Sequence, residues 1–205
     1  MAERGPVGDR GQMAASLASF PRRALPVKGL KQASVALCVV IENSGPCLVI
    51  TRRATSLRSH SGQWALPGGR REAHESAEDA ARRELAEETG LQASSGDILG
   101  VLDDYATRSG YLMTPVVIWC GARSSQLHPN EAEVAAIYLI PLAELDVPPR
   151  LVPIPESDRP VLQLPLLGGL VNAPTAAIIY QFCQVALRGL PTRVAHYDQP
   201  VFAWR

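Results

Sequence analysis

Between Ser76 and Gly90 the chain writes one helix with both ends marked. Ser76 stands as N-cap with Asp79 three residues on, the spacing of a capping box, and Gly90 closes the segment. At 100° per residue, Ala77, Ala80, Ala81, Glu84, Glu87 and Glu88 fall on one side. One stripe therefore changes from alanine to carboxylate. The alanines imply close packing against another layer, and three carboxylates continuing that side would repel each other strongly in a dry contact. A bound cation removes the conflict. Oxygen-only ligands suit hard ions such as Mg²⁺ or Mn²⁺, the usual partners of substrate phosphates. Arg83 lies four residues before Glu87, within reach to pair with it. The competing reading is a solvated acidic helix face. Against it stands Leu66-Pro67-Gly68-Gly69-Arg70 just upstream, a turn whose glycines expose backbone carbonyls and let a ligand approach closely.

Around this helix the pattern is that of strands. Ala33 to Ile41 and Cys47 to Thr51 are apolar, β-branched runs separated by Asn43-Ser44-Gly45, a hairpin signal. A Ser-, Arg- and Gly-rich loop spans Arg52 to Gly69. Further strands are expected at Ile98 to Asp104, Tyr111 to Cys120 and Val134 to Ile140, and a second helix from Thr175 to Leu187 behind Pro174. Pro148 to Pro165 reads as an extended loop. Strands interrupted by two helices, with no internal repeat, argue for an α/β layered domain with a mixed sheet. Residues 1–30 mix Gly, Pro, Ser, Ala and Arg without sustained periodicity, which predicts a flexible arm carrying at most a short helix near Met13 to Phe20. Residues 31–205 are then a single domain, since 205 residues with 46% hydrophobic content supply one well-buried core and hardly two.

Composition narrows the partners. Net charge is zero and the basic clusters are only pairs, Arg22-Arg23, Arg52-Arg53 and Arg70-Arg71, so no surface is built for long nucleic acid. A small phosphorylated ligand remains compatible. No apolar run approaches the roughly 18 residues of a membrane span, and no signal core follows the start. Cys38, Cys47, Cys120 and Cys183 form no C-x-x-C pair and read as free thiols in a reducing compartment. These absences point to a cytoplasmic protein, with a mitochondrial location also open.

Written out, Gly69, five residues, Glu75, seven residues, then Arg83-Glu84-Leu85-Ala86-Glu87-Glu88-Thr89-Gly90-Leu91 resembles the Nudix box at every fixed position. The resemblance implies the Nudix fold, an α/β/α sandwich in which the box forms a loop-helix-loop beside a mixed sheet. It implies roles as well: Glu84, Glu87 and Glu88 hold divalent ions, the Gly68 carbonyl adds a ligand, Arg83 steadies the carboxylates, and Glu75 ties the loop to the helix. The implied reaction is hydrolysis of a phosphoanhydride bond in a nucleoside diphosphate derivative, aided by Mg²⁺ or Mn²⁺. Such a reaction needs a general base, for which Glu84 and Glu133 are the candidates. Glu133 precedes an expected strand, where Nudix enzymes often place an extra acidic residue over the metals.

Upstream of the box, Thr51, Arg53, Ala54, Arg58, Gly62 and Leu66-Pro67-Gly68-Gly69 resemble the extra motif of coenzyme A diphosphatases, with Leu66 where that subgroup usually has Phe. The resemblance implies coenzyme A or acyl-CoA as substrate, yielding 3′,5′-ADP and 4′-phosphopantetheine or its acyl form. Arg53 and Arg58 are the candidate substrate-binding residues, because guanidinium forks match phosphate oxygens. Further on, the chain reads Asn172-Ala173-Pro174-Thr175-Ala176-Ala177, which keeps the subgroup's Thr-Ala and lacks its preceding aromatic-Gly.

Other Nudix substrates are ADP-ribose, NADH, dinucleoside polyphosphates and oxidised nucleotides. The Ser-Gln-Pro-Trp-Pro-Phe stretch of NADH diphosphatases is missing, and Ala106 stands where ADP-ribose enzymes carry Pro. Tyr105 and Tyr111 are equally suited to stacking on a base or filling the sheet. A reading from another class is a non-catalytic domain that binds a nucleotide or a protein; intact Glu84, Glu87 and Glu88 argue against it. The apolar last helix, with Ile178, Ile179, Phe182 and Val185, is able to pack inside or against a second copy in a homodimer.

Overall fold

The computed structural model describes residues 8–55 and 62–204. Its elements in chain order are α1 (Arg10–Ser19), β1 (Lys31–Glu42), β2 (Gly45–Arg53), β3 (Trp64–Ala65), β4 (Gly68–Arg70) and α2 (Ala77–Thr89). They continue with β5 (Ile98–Val101), β6 (Tyr105–Ala106), β7 (Tyr111–Gly121), β8 (Val134–Pro141), β9 (Arg150–Ile154), β10 (Ser157–Leu164), β11 (Val171–Asn172) and α3 (Thr175–Phe182). The main sheet is mixed. β1 and β2 form the expected antiparallel hairpin, β8 adds to β2, and β1 runs parallel to β7 over Lys31–Val40.

β1 is the centre of the molecule, and its side-chain alternation divides the core in two. Val35, Leu37 and Val39 point into one apolar cluster, and Ala36, Cys38 and Val40 into the other. The second cluster is covered by α2 through Ala77, Ala81 and Leu85. The first is covered by α1 and α3 through Met13, Leu17, Ile178, Ile179 and Phe182. Helices thus lie on both faces of one sheet, an α/β/α sandwich. A strand buried on both faces reads as a continuous apolar run, as Ala33 to Val40 does.

Three expectations change. The flexible arm does not hold for residues 8–30: Asp9 caps α1 by accepting from the Gln12 N–H at 2.9 Å, and Met13, Leu17 and Phe20 are buried. Weak periodicity in a ten-residue helix hid this, because two or three anchors suffice to dock one. The extended loop at Pro148 to Pro165 is a hairpin, β9 with β10, which with β11 makes a second antiparallel sheet. Pro153 lies on the edge strand β9, and Pro160 falls in the register shift of β10 between Ser157 and Val161, both places where a missing N–H is tolerated. The Arg52 to Gly69 loop contains β3 and β4, which pair with β2 and β1. The last helix ends as expected near Leu187, its final turn widening into a π-helix over Cys183–Leu187. All four cysteines are free and buried. Among the described residues no helix is long and apolar enough to cross a membrane.

Candidate active site

The forward half of the expected capping box is formed: Ser76 Oγ accepts from the Asp79 N–H at 3.0 Å, while the Asp79 carboxylate takes its bond from the Ser76 hydroxyl at 2.7 Å and not from the Ser76 N–H. At the other end Gly90 adopts φ 72°, and a Cβ there would overlap the His128 ring, so both backbone and packing require glycine. With the ends fixed, the helix azimuth is set by Ala80, Ala81 and Leu85, each fully buried. Glu84 and Glu88 sit directly in line with them. Glu87 falls at the rim of that stripe, its side chain 55% exposed.

Before the helix, the Ala36 N–H donates to the Pro67 carbonyl at 2.8 Å, and Gly68–Arg70 pairs with Ala33–Val35 of β1. A side chain at Gly68 would overlap the Ser34 carbonyl, and one at Gly69 would overlap the Glu84 carboxylate. These glycines let the turn lie flat on β1 and let Glu84 lie flat on the turn.

Arg83 organises the acids. Its Nε donates to Glu75 Oε1 at 2.9 Å, its Nη1 to Glu84 Oε1 at 2.8 Å and to Glu87 Oε2 at 2.9 Å, and its Nη2 to the Arg70 carbonyl at 3.0 Å. Glu75 also accepts from the Glu72 N–H at 2.9 Å, which ties loop to helix. The Arg83 hydrogen bond holds the Glu75 carboxyl below its usual range despite burial.

Glu84, Glu88 and Glu133 line one cavity of about 800 Å³ together with Arg53, Trp64, Gly68, Gly69, Arg70 and Tyr111. Glu88 is 3% exposed. Burial pushes its carboxyl up to about 8; Glu84 and Glu133 push the same way, while Arg53 and the Gly68 N–H oppose them. Burial also raises Glu84, with Arg83 opposing. Glu133 is placed by backbone: its carbonyl accepts from the Ala54 N–H at 2.9 Å, and the Asn130 N–H at the start of the same turn donates to the Glu88 carbonyl at 3.0 Å. The acidic loop is thereby fastened to both α2 and the end of β2.

Arg53 reaches the same cavity, and its buried Nε has no hydrogen-bond partner among the described residues. Arg58 lies outside the described residues. Tyr105 is 2% exposed and donates its Oη to the Tyr197 carbonyl at 3.0 Å, so it fills the fold. Tyr111 stays on the cavity wall, where its Oη accepts from Arg70 at 2.6 Å. Sequence reading missed Arg70, Thr107 and Ser109, and the walls supplied by 170–178 and 199–203. No local pattern marks these, because only the tertiary fold brings them together.

The donor set fits a hard divalent cation. Glu88 is a buried carboxylate beside Glu84 and Glu133, an arrangement that asks for more positive charge than Arg53 alone provides. Among the described residues no three acidic, His or Cys side chains converge into a closed cage. Such openness suits an ion that keeps water ligands and takes further oxygens from substrate phosphates.

The family model of the NUDIX domain matches residues 31–164. The chain belongs to the Nudix hydrolase family. Nudix hydrolase NudL of Pectobacterium atrosepticum, itself uncharacterised, is 38% identical over 136 residues, 66% of this chain and 70% of that protein. NudL of Cronobacter sakazakii is 40% identical over 117 residues, covering 56% of this chain and 59% of the relative. Among solved structures, the Nudix hydrolase RenU of Mycobacterium smegmatis aligns with a TM-score of 0.52 at 21% identity, over 80% of this chain and 90% of RenU, a likeness of fold. The Nudix assignment fixes the layered fold and the family's hydrolase character.

Proposed function

We propose that this Nudix chain hydrolyses the phosphoanhydride bond of a nucleoside diphosphate derivative, with coenzyme A or acyl-CoA as substrate. One observation carries the reading: buried Glu88, beside Glu84 and Glu133, shares a cavity with Arg53, whose Nε has no partner among the described residues. A site that combines acidic groups with a guanidinium whose Nε is unsatisfied is suited to a ligand that is anionic and metal-associated at once. Glu84, Glu87, Glu88 and the Gly68 carbonyl are the oxygens that would hold Mg²⁺ or Mn²⁺. When bound, the cation neutralises the diphosphate and lowers the pKa of the attacking water.

The chain's own groups do the rest. Arg53 donates to the diphosphate or to the 3′-phosphate, and Arg58 is assigned the same duty on the adjoining segment. Arg83 keeps Glu84 and Glu87 oriented between turns of the reaction. Glu133 is the better-placed general base, since Glu84 already accepts from Arg83 while Glu133 lines the same cavity outside that bond. It takes the proton of the attacking water, and the bond to the bridging oxygen breaks to give 3′,5′-ADP and 4′-phosphopantetheine.

Hydrolysis of coenzyme A, octanoyl-CoA, NADH, ADP-ribose, diadenosine tetraphosphate and 8-oxo-dGTP with Mg²⁺ or Mn²⁺, resolved by product identity, tests the reading. Coenzyme A or its acyl form is expected to be the best substrate; finding it the poorest sinks the subgroup reading. In the same assay Glu133→Gln is expected to lower kcat by about 10²- to 10⁴-fold, the usual worth of a general base. Full activity of Glu133→Gln would move that role to Glu84.

A further inference from the structure

The cavity has two unlike groups of lining residues. Glu84, Glu133 and Arg53 act on Glu88 at close range, and the same cavity is also lined by Leu170, Asn172, Thr175, Gln199 and Phe202 from the carboxyl-terminal part of the chain. All five of these residues lie beyond the span 31–164 that the family model matches. The shared domain pattern therefore does not account for these residues.

Phe202 is 57% exposed, and Leu170 38%. An exposed phenyl ring on a cavity wall gains nothing from the fold, so something else must hold it there. The chain is pinned on both sides of it. Upstream, Asp198 is 2% exposed and accepts from Arg108 Nε at 2.8 Å and Nη2 at 2.6 Å, and from the Gln199 N–H at 2.8 Å. Next to it the Tyr197 carbonyl accepts from buried Tyr105. Downstream, the same Arg108 guanidinium stands 5.0 Å over the Trp204 ring. Arg108 thus clamps residues 198 and 204 together, and Phe202 projects from between them. Thr107 and Ser109, the sequence neighbours of Arg108, line the same cavity, so the clamp also ties the 107–109 turn to the segment that carries Phe202.

We propose that Phe202, with Leu170 and Asn172 of the same cavity lining, forms a subsite for the nucleobase of the substrate, and that Arg108 is its positioning residue. The inference rests on the reading of a nucleoside diphosphate substrate and names where its base goes. A planar base has apolar faces and a hydrogen-bonding rim. The wall matches both: a phenyl face for stacking, and an amide whose Oδ1 is engaged by Gln163 Nε2 at 2.8 Å, which orients its NH₂ as the donor. An acyl chain, by contrast, would want an unbroken apolar channel, and here Asn172, Thr175 and Gln199 interrupt it.

Calorimetric binding of ADP and of inorganic pyrophosphate, each with Mg²⁺, tests the subsite. Phe202→Ala is expected to weaken ADP by about tenfold or more, the usual worth of one base–aromatic stack, and to leave pyrophosphate unchanged. Phe202→Trp retains ADP, and Phe202→Leu, which keeps bulk without a π face, loses it. Arg108→Leu should reproduce the selective loss through Asp198 and Trp204, with partial rescue in Arg108→Lys. Equal weakening of ADP and pyrophosphate, or undiminished ADP binding with a lost preference for octanoyl-CoA over coenzyme A, overturns the proposal. If the wild-type chain hydrolyses no diphosphate yet binds ADP in a Phe202-dependent way, the proposed activity falls and the subsite stands.

Discussion

Glu88 places the heaviest electrostatic demand on the fold. A carboxylate at 3% exposure loses most of its hydration, and Glu84 and Glu133 add like charge nearby. On its proposed role as a metal ligand, stability and activity should part at this position. Glu88→Gln removes a carboxyl that burial raises to about 8 and keeps the shape. A carboxyl raised on folding opposes the native state above its unfolded pKa, so at pH 7 in EDTA the variant is expected to be more stable than the wild type by about 1–2 kcal/mol. Hydrolysis should fall at least about 100-fold, comparable to losing one preorganised electrostatic contact. Urea denaturation with and without metal, read beside turnover, checks both halves; a destabilised and fully active variant would remove Glu88 from the site. At this scale the sequence spoke clearly for Glu84 and Glu88, because helical period alone puts them in line with Ala80 and Ala81. It spoke less clearly for Glu87, which the same wheel put on the stripe and which packing leaves at its rim, paired to Arg83. Gly69 was legible as a turn residue but not for its reason, the closeness of the Glu84 carboxylate.

Among elements, α1 was expected as a short helix near Met13 to Phe20, and what could not be read is its docking. Its residues Arg10–Ser19 alternate small and polar types with little amphipathic order, yet Met13 and Leu17 are buried and seat the helix on β5 and the last turn of the carboxyl-terminal helix. At Gly100 a Cβ would come within 3.0 Å of Leu17 Cβ, so β5 receives α1 at a position where only glycine leaves room. Local propensity carries none of this; the docking is decided by a surface more than eighty residues away. Leu17→Ala is expected to cost about 2–4 kcal/mol, the range for truncating a buried leucine, with coenzyme A hydrolysis per folded molecule unchanged. A loss under about 0.5 kcal/mol in denaturant titration, the size of an ordinary surface change, would restore the flexible arm. The hairpin β9 and β10 was hidden for a different reason. Proline at 148, 149, 153, 155 and 160 argues against a central strand, and these strands form a small separate sheet, where missing N–H donors are tolerated.

Across the whole molecule, distant segments are joined by buried carboxylates rather than by core alone. Asp103 accepts from Arg193 and Gln181, Asp104 from Arg22 and Thr114, and Asp198 from Arg108, so the amino- and carboxyl-terminal segments are fastened to the middle of the chain by ion pairs spanning about the length of a domain in sequence. Asp198 is the one whose titration reports the fastening. Burial pushes its carboxyl up, but the hydrogen bonds from Arg108, Ser157 and the Gln199 N–H outweigh burial and hold it at about 2, below its ordinary 3.8. A carboxyl lowered on folding stabilises the native state above its unfolded pKa and loses that contribution as pH falls toward the folded value. The pair is therefore fully effective above about pH 5, fades between 3.8 and 2, and contributes nothing below. Asp198→Asn should lower stability by about 2 kcal/mol at pH 6, the equivalent of that pKa displacement, and the gap between variant and wild type should close as pH falls toward 2. Urea titrations at pH 6, 4, 3 and 2.5 read it directly. A gap that stays constant across that range would mean Asp198 acts through shape, and the clamp that sets Phe202 against the cavity would then owe little to charge.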